Sequence, residues 1–515
     1  MVLKDFFEKS FFILLLLLVN FEKSFSILVT IVIIILLVIK WDKGVMKMDD
    51  YLREIQTLIF REWIFMQDRD YYALYQSETD KDAIIIENDY CYSYVTFNPQ
   101  SIIELCVMNK TTNEMAFYLH FQFKTLKHAI SLFNEMDECI KKMVNQPICR
   151  ILLCCSGGMT TAFFADKIKT GIKLLNLNME VAATSYQKLY NDGQNYDVIL
   201  LAPQVSYVKL QVEKVFKNKL VLKIPTQIFA SYNVGALITF VEESLKRGEK
   251  KYQTVEPLSS KLEIENNKNI LAVSINANGE NSNISYRLYN KKQEIILDSN
   301  IIKNKITIQD IIDTLDTVVL QNDQVDVISV ALPGVIIKGI IYSSILEVED
   351  CKIYDILKNR YDKEIFIFND VNAAAAGYYA SQNKYQSLAF LFQPIGRYAG
   401  SGIIINGQLV SGKDNMAGEV MLLPLDLSDD YLTLANTPEG TVELVTKNTI
   451  SIISIVAPEA IVVFSDLMID SKDVEDNVKK ALERYHLIDF PEVIKIENLL
   501  EYILLGTMIL SIKKD

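Results

Sequence analysis

A cysteine at the start of a glycine-containing loop is the most reactive feature of the sequence. An apolar strand predicted from Cys149 to Leu153 leads into Cys154 and Cys155, and a helical pattern follows from Ala162. The loop between them consists of Ser156, Gly157, Gly158, Met159, Thr160 and Thr161. Backbone N–H groups and the positive end of a helix then stabilise a thiolate and bind phosphate oxygens. The pattern predicts Cys155 as a phosphate carrier, residues 156–161 as its phosphate-binding loop, and Cys154 as a core residue.

Two other kinds of phosphate loop are excluded by residue type. A tyrosine phosphatase has an arginine six residues after its cysteine, and Thr161 occupies that position here. Without the arginine the loop lacks the cation that supports hydrolysis, which favours transfer of the phosphate to a partner. No Gly-Lys-Ser/Thr follows the glycines, so the loop is not of the Walker type. A loop kept only for packing or for sensing remains the alternative.

The surrounding residues resemble a known family. Strands predicted at Met179–Thr184, Val198–Leu201 and Leu220–Ile224 alternate with helical stretches, which favours a parallel sheet. The cysteine loop, together with the Asp-Val-Ile-Leu-Leu-Ala-Pro-Gln-Val-Ser-Tyr sequence ending at Tyr207, is similar to the lactose/cellobiose-type enzyme IIB of the sugar phosphotransferase system. The resemblance covers residues 147–250. It implies a four-stranded parallel sheet and a phosphocysteine at Cys155, loaded by a IIA phosphohistidine and unloaded onto a small sugar held by a IIC membrane permease.

A second group of residues suits chemistry on a sugar hydroxyl. Ala331–Gly334, Phe368–Gly377, Gly400–Gly407 and Ala417–Val420 resemble, in order, motifs of the ROK family of sugar kinases and repressors. The match covers residues 268–515 and implies a two-lobed, actin-like (RNase H-like) fold.

This resemblance assigns three residues to the sugar. It implies Asp370 as the general base for a sugar hydroxyl, with Asn369 and Glu419 as sugar contacts. In the alternative interpretation Asp370 only caps the helix that begins near Val371.

Several positions depart from the ROK pattern. Ser274 stands where the family has the aspartate that organises phosphate and metal, and the second phosphate loop is expanded to Gln393–Gly402. Phe464–Asp466 replace the Gly-Gly turn that receives adenosine, Leu422 replaces the histidine expected after Gly-Glu, and the zinc cysteines are absent. Phosphoryl transfer depends on positioning and charge neutralisation. We therefore expect a degenerate kinase, a pseudokinase, that uses no ATP, zinc or other metal or cofactor.

The composition is that of a globular protein that does not bind nucleic acid. The 515 residues have a formal net charge of −13, which disfavours a phosphate backbone as partner. The seven cysteines form no Cys-x-x-Cys pair, which suits a reducing compartment. The three histidines lie far from any cysteine cluster, so no zinc site is expected.

Residues 1–48 form a hydrophobic segment with two interpretations. Its two apolar runs are shorter than the roughly 20 residues of a membrane-spanning helix, and the sequence Phe-Glu-Lys-Ser-Phe occurs in it twice. One interpretation is a mis-set start codon, with the native start at Met46 or Met48; the other is a membrane anchor in residues 1–45. We expect a cytoplasmic protein, with membrane association through residues 1–45 or through the permease as the alternative.

The predicted organisation has three folded parts. Residues 49–146 form a small α+β module without an assigned role, 147–250 the IIB-like domain, 251–267 a linker, and 268–515 the ROK-like domain. In the first module the sequence predicts an amphipathic helix at the start, strands around Tyr92–Phe97, Ile102–Met108 and Met115–Phe123, and a helix over Leu126–Met143. The predicted enzyme is a protein-phosphohistidine–sugar phosphotransferase with a sugar-sensing ROK-like domain. The alternatives are a non-catalytic sugar-responsive regulator and an ATP-dependent sugar kinase of the ROK type.

Overall fold

The structure is a computed structural model. It describes residues 48–67, 69–110, 113–145, 149–157, 159–175, 177, 179–216, 219–247, 257–276, 282–468, 470–485 and 490–512. The hydrophobic segment before residue 48, and the two predictions made for it, lie outside these ranges. Among the described residues, no helix is both long and apolar enough to cross a membrane. Two compact units are present: one ends at Val144 and also takes in Asp313–Val318, and the other contains Asn145–Ile312 and Val319–Asp515.

The N-terminal module consists of two helices and an antiparallel sheet. Its elements are α1 (Met48–Phe65), β1 (Ala73–Gln76), β2 (Ala83–Glu87), β3 (Cys91–Asn98), β4 (Ile102–Asn109), β5 (Met115–Gln122) and α2 (Leu126–Asn145). The strands pair in sequence order through tight connections. Phe60 of α1 is fully buried and its ring meets that of Phe133 of α2. The sequence predicted β3 to β5 and both helices but missed β1 and β2, because neither alternates clearly between apolar and polar residues.

The middle domain is a parallel α/β domain, as predicted. Its elements are β6 (Cys149–Cys155), α3 (Met159–Leu174), β7 (Met179–Ser185), α4 (Tyr186–Asp192), β8 (Val198–Leu201), α5 (Lys209–Val215), β9 (Leu220–Lys223), α6 (Thr226–Ser231) and α7 (Val234–Arg247). The four strands are ordered β7-β6-β8-β9 and all neighbours are parallel. All carboxyl ends therefore lie at one edge, and Cys155 is in register with Ser185 there.

The C-terminal domain has two lobes. The first contains β10 (Ile270–Asn276), β11 (Ser282–Tyr289), β12 (Ile295–Lys303), α8 (Ile308–Gln321), β13 (Val327–Leu332), β14 (Val335–Ile337), β15 (Ile340–Ser343), β16 (Val348–Cys351), α9 (Ile353–Arg360), β17 (Glu364–Asn369) and α10 (Asp370–Ala380). The second contains β18 (Leu388–Phe392), β19 (Gly400–Ile405), β20 (Gln408–Leu409), α11 (Tyr431–Leu434), α12 (Pro438–Val456), β21 (Ala460–Phe464), α13 (Lys472–Leu482) and β22 (Glu492–Lys495). The final helix, α14 (Leu499–Ile512), packs on β10 and β13 of the first lobe.

The two lobes repeat one strand order. The first lobe runs β12-β11-β10-β13-β17 and the second β20-β19-β18-β21-β22. In each lobe the central strand, β10 or β18, is antiparallel to its neighbour β11 or β19. The two strands on its other side, β13 with β17 or β21 with β22, are parallel to it. This repetition is the two-lobed architecture that the sequence predicted.

Helix α10 is held against α14 by a close crossing. A Cβ on Gly377 would lie 1.9 Å from the backbone oxygen of Tyr502, and one on Gly506 would lie 1.8 Å from that of Ala373. Only glycine allows the two backbones to approach this closely. The crossing fixes α10, whose first residue is Asp370.

A buried ion pair ties α14 to the first lobe. The guanidinium of Arg287 donates to both carboxylate oxygens of Glu501 at 2.9 and 3.0 Å, and both residues are buried. Glu501 also accepts a hydrogen bond from the backbone N–H of Leu258. The Leu258 side chain packs on the apolar core that contains Ile270 of β10 and Leu504 of α14. The described part of the predicted linker thus lies on the first lobe, while the domain boundaries themselves stay predictions.

Candidate functional site

The sulfur of Cys155 lies at the end of a strand beside the first turn of a helix. Cys155 is the last residue of β6, and helix α3 begins at Met159 and runs for 16 residues. The Cys155 sulfur is 3.2 Å from Oγ1 of Thr161, and the Thr161 side chain is fully buried. Because the hydroxyl can donate to sulfur, Thr161 can stabilise a thiolate at the position where a phosphatase has its arginine.

The rest of the predicted phosphate loop is open to solvent where it is described. Ser156 and Gly157 are exposed, and a Cβ on Gly157 would meet nothing within 4 Å. Met159 and Thr160 form the start of α3, where backbone N–H groups have no partner within the helix. Gly158 lies outside the described residues. The roles of residues 156–161 in phosphate binding stay predictions.

The neighbouring cysteine has a different environment. Cys154 is fully buried, and burial raises the pKa of its thiol to about 12. Its side chain belongs to the apolar core of the middle domain. The prediction that Cys154 is a core residue is confirmed, so its thiol stays protonated near neutral pH.

Exposed apolar side chains follow the strand ends around Cys155. Phe163 in α3 is 54% exposed, and Tyr207 and Leu210, which follow β8, are 77% and 74% exposed. Large apolar groups on a surface often mark a protein contact. These three residues are candidates for such a contact, and we call them the docking rim.

In the C-terminal domain, Asn369 and Asp370 join β17 to α10. Asn369 is the helix cap: its side-chain oxygen accepts from the backbone N–H groups of Val371 and Asn372, each at 3.0 Å. Its amide nitrogen donates to the backbone oxygen of Gly334 at 2.9 Å. Asn369 therefore occupies the N-cap position, and Asp370 is the first residue of the helix, where its carboxylate also accepts from the Val371 N–H at 2.9 Å. The interpretation of Asp370 as a helix cap and its role as a base both stay predictions.

The carboxyl of Asp370 has an unusual proton affinity. Asp370 keeps some accessible surface, yet protein atoms crowd its carboxyl. Burial, and to a smaller extent the nearby charge of Glu419, raises the pKa of Asp370 to about 7. A backbone hydrogen bond from Val371 opposes this shift without cancelling it. A carboxylate with such a pKa can accept a hydroxyl proton near neutral pH.

Glu419 lies close enough to Asp370 to interact with it. Burial also raises the pKa of Glu419. It follows Gly418, which has a φ of +88°. A Cβ on Gly418 would lie 1.9 Å from the backbone oxygen of Ser401, so this position excludes a side chain. The structure thus brings Asp370 and Glu419 together across 49 residues of sequence, as the motifs predicted, while their roles toward a sugar stay predictions.

Sequence reasoning gave no role to Asn372. Its side chain is buried, and its side-chain oxygen has no hydrogen-bond partner among the described residues. The second asparagine of the Asn-Asp-Val-Asn stretch was the available signal. Because buried polar atoms are normally satisfied, this oxygen suits a ligand or a bound water.

Three of the positions that depart from the ROK pattern lie in or beside strands of the two lobes. Ser274 is buried within β10, between β11 and β13. The loop after β18 extends to residue 399, and the Phe464 ring contacts Phe392 with centroids 5.6 Å apart. Within the described ranges, no group of three or more His, Cys, Asp or Glu side chains could hold a metal ion.

Comparisons with known proteins match both domains. Residues 150–238 match the family model for the lactose/cellobiose-specific IIB subunit of the phosphotransferase system, and residues 273–430 match the ROK family. Both resemblances predicted from the sequence are confirmed.

One curated relative is the oligo-β-mannoside-specific EIIB component of the phosphotransferase system from Bacillus subtilis (strain 168). It is 32% identical over 65 residues, which is 13% of this chain. The chain spans 63% of that relative's length.

Solved structures similar to this chain include ROK proteins. A ROK hexokinase from Thermus thermophilus is 16% identical with a TM-score of 0.39, covering 48% of this chain and 100% of its own. A ROK family protein from Streptococcus pneumoniae TIGR4, solved with sucrose, is 16% identical with a TM-score of 0.39, covering 48% and 98%.

Proposed function

We propose that the middle domain accepts a phosphoryl group from a IIA phosphohistidine onto Cys155 and passes it to a sugar. The observation behind this proposal is the 3.2 Å contact between the Cys155 sulfur and the hydroxyl of Thr161, which lies in the first turn of α3. In the first step the thiolate attacks phosphorus, the S–P bond forms, and the N–P bond breaks with its electron pair returning to the imidazole. In the second step a sugar hydroxyl oxygen attacks phosphorus and gives its proton to a base beside the sugar. The O–P bond forms, and the S–P bond breaks with its electron pair returning to sulfur as the thiolate.

Two partners follow from this chemistry. A IIA phosphoprotein would dock on the rim formed by Phe163, Tyr207 and Leu210, which are exposed apolar residues near the loop. A IIC permease would hold the sugar that receives the phosphate. The phosphoryl donor is then a protein, so this reaction needs neither ATP nor a metal.

The C-terminal domain is proposed to bind the sugar as a sensor. Asp370 and Glu419 supply two carboxyl groups whose directional hydrogen bonds distinguish hydroxyl positions. The substitutions at Ser274 and at Phe464–Asp466 remove groups expected to position a nucleotide, which is why we assign no kinase activity to this domain. A small sugar, rather than a nucleotide, is the proposed ligand.

A sugar kinase is the second candidate, because the raised pKa of Asp370 suits a general base. The two candidates differ in one product. ADP release that depends on glucose or an amino sugar, and that disappears in Asp370→Asn, would establish the kinase. Sugar binding without ADP release supports the sensor.

Phosphoryl acceptance is tested on the full chain. The protein is incubated with phosphoenolpyruvate, enzyme I, the histidine carrier protein and candidate IIA proteins, and intact mass is recorded under conditions that preserve an S–P bond. We expect the gain of one phosphate, its complete loss in Cys155→Ser, and its retention in Cys154→Ala. Phosphate on Cys155→Ser, or none on the wild type with any IIA protein, contradicts the carrier role.

A further inference from the structure

The carboxyl ends of β18 and β21 lie side by side in the second lobe, and we call the space between the loops that follow them the crevice. Strand β18 has β19 on one side and β21 on the other. After β18 the chain forms β19 and β20 on one side of it, and then crosses to form β21 and β22 on the other side. In open α/β sheets, ligands bind outside the carboxyl ends of strands at such a change of direction. The bordering loops are 393–399 and 465–468.

Apolar residues of both loops pack into the core of the middle domain. Leu467 is 0% exposed and belongs to the same apolar cluster as Tyr190 of α4 and Val212 of α5. Ile395 packs against this cluster too. Because buried apolar residues exclude water, the face of α4 and α5 covers the crevice closely.

A polar contact joins the same two faces. Glu439, the second residue of α12, accepts a hydrogen bond from the Tyr186 hydroxyl at 3.0 Å and one from the Gln211 side chain at 3.3 Å. Tyr186 begins α4 and Gln211 lies in α5. The polar contact therefore uses the same two helices as the apolar one.

A cavity of about 540 Å³ adjoins the loop after β21 and is partly open to solvent. Lys214, Phe216 and Lys219 of the middle domain form one wall, and Phe464, Ser465 and Asp466 form the other. This volume is in the range of small-molecule sites. The Ser465 hydroxyl is buried and has no partner among the described residues, so a polar group could bind there.

We infer that the middle domain is a lid over this crevice of the second lobe. Helices α4 and α5 close it through Leu467, Ile395 and Glu439, and a small polar ligand reaches the space between the two loops only when the face of these helices moves away. The closed lid leaves the cysteine loop accessible, because Ser156, Gly157 and Tyr207 are exposed in the same structure. One domain thus presents a carrier loop and closes a ligand crevice.

Hydrogen exchange of the full, unphosphorylated chain tests the lid. Two contact faces are followed by mass spectrometry: α4 with α5, and residues 393–397 with 464–468. In the wild type both should exchange slowly. Leu467→Asp places a charge in the shared core and should speed exchange on both faces at least about tenfold, while β6 and β8 stay protected. The matched control Ile455→Asp changes a leucine-sized residue that is 74% exposed in the same lobe, and should change neither face.

A second variant covers the case in which Leu467→Asp unfolds the chain. Glu439→Lys removes the exposed acceptor of both hydrogen bonds and should speed exchange on both faces about threefold. Rapid exchange of both faces in the wild type, or no change in Glu439→Lys, overturns the lid. Because no phosphate is present, the result does not depend on the proposed role of Cys155.

Discussion

Cys155 and Asp370 occupy equivalent places in two different domains. Each lies where a parallel strand meets a helix: Cys155 ends β6 before α3, and Asp370 begins α10 after β17. A helix N-terminus favours an anion at both places. At Cys155 a neighbouring hydroxyl adds to this preference, whereas at Asp370 burial and the charge of Glu419 overcome it. The same backbone arrangement therefore positions a thiol in one domain and a carboxyl group in the other.

The crossing of α10 and α14 allows the carboxylate site to be broken selectively. Gly377→Ala would place a Cβ 1.9 Å from the Tyr502 backbone oxygen, so α10 must move. We expect a loss of about 1–3 kcal/mol or more, a lower Tm, and loss of sugar binding at concentrations where Cys155 still accepts phosphate.

The control for this prediction is another helical glycine. At Gly235 the nearest atom to an added Cβ is the Asn233 side-chain oxygen at 3.8 Å. Gly235→Ala should leave the Tm unchanged or raise it, since alanine favours a helix by about 1 kcal/mol. An unchanged Tm in Gly377→Ala would show that the crossing does not position Asp370.

The raised pKa of Asp370 predicts how stability depends on pH. Between pH 3.8, the ordinary pKa of an aspartate, and about pH 7, Asp370 holds a proton in the folded state that it has lost in the unfolded state. The contribution of Asp370 is therefore fully present below pH 4 and is lost as the pH rises toward 7. Asp370→Asn removes this loss, so the Tm of the variant should exceed that of the wild type by an amount that grows from pH 4 to pH 8. The corresponding gain in the free energy of unfolding is at most about 4 kcal/mol.

Thermal melts across this pH range measure the effect. Asp362→Asn, at an exposed position in the same lobe, is the matched control and should show no such trend. Glu419→Gln should move the trend to lower pH, because the neighbouring charge that raises the Asp370 pKa is gone. A difference between Asp370→Asn and wild type that is constant with pH would contradict the assigned pKa.

The smallest expected effect concerns the hydroxyl beside the sulfur. Thr161→Val removes the group that lies 3.2 Å from the Cys155 sulfur, so the thiolate loses a hydrogen bond worth about 1–2 kcal/mol. Alkylation of Cys155 by iodoacetamide at pH 7 should slow by up to about tenfold. The control is Thr170→Val, in the same helix, where the hydroxyl bonds to the Asp166 backbone. Equal alkylation rates in all three proteins would remove Thr161 from the site.

Much of the fold followed from local patterns in the sequence. Strand, loop and helix around Cys155, the alternation of strands and helices in the middle domain, and the order of motifs in the C-terminal domain all depend on residues a few positions apart. The missed strands β1 and β2 show the limit of this reasoning, since Ala83–Glu87 is an apolar run without alternation that only its pairing with β3 identifies as a strand.

The amino-acid sequence by itself determined which groups can react: a thiol before a glycine loop, and a carboxyl after a strand. Tertiary structure decided their environments. Desolvation of Asp370, its approach to Glu419, and the hydrogen bond from Asn369 to Gly334 depend on atoms brought together from distant segments. The contact between Tyr186 and Glu439 joins residues 253 positions apart, and Leu467 completes the core of another domain. Local propensity acts over a few residues, whereas burial and charge act through space, so only the folded chain could show these contacts.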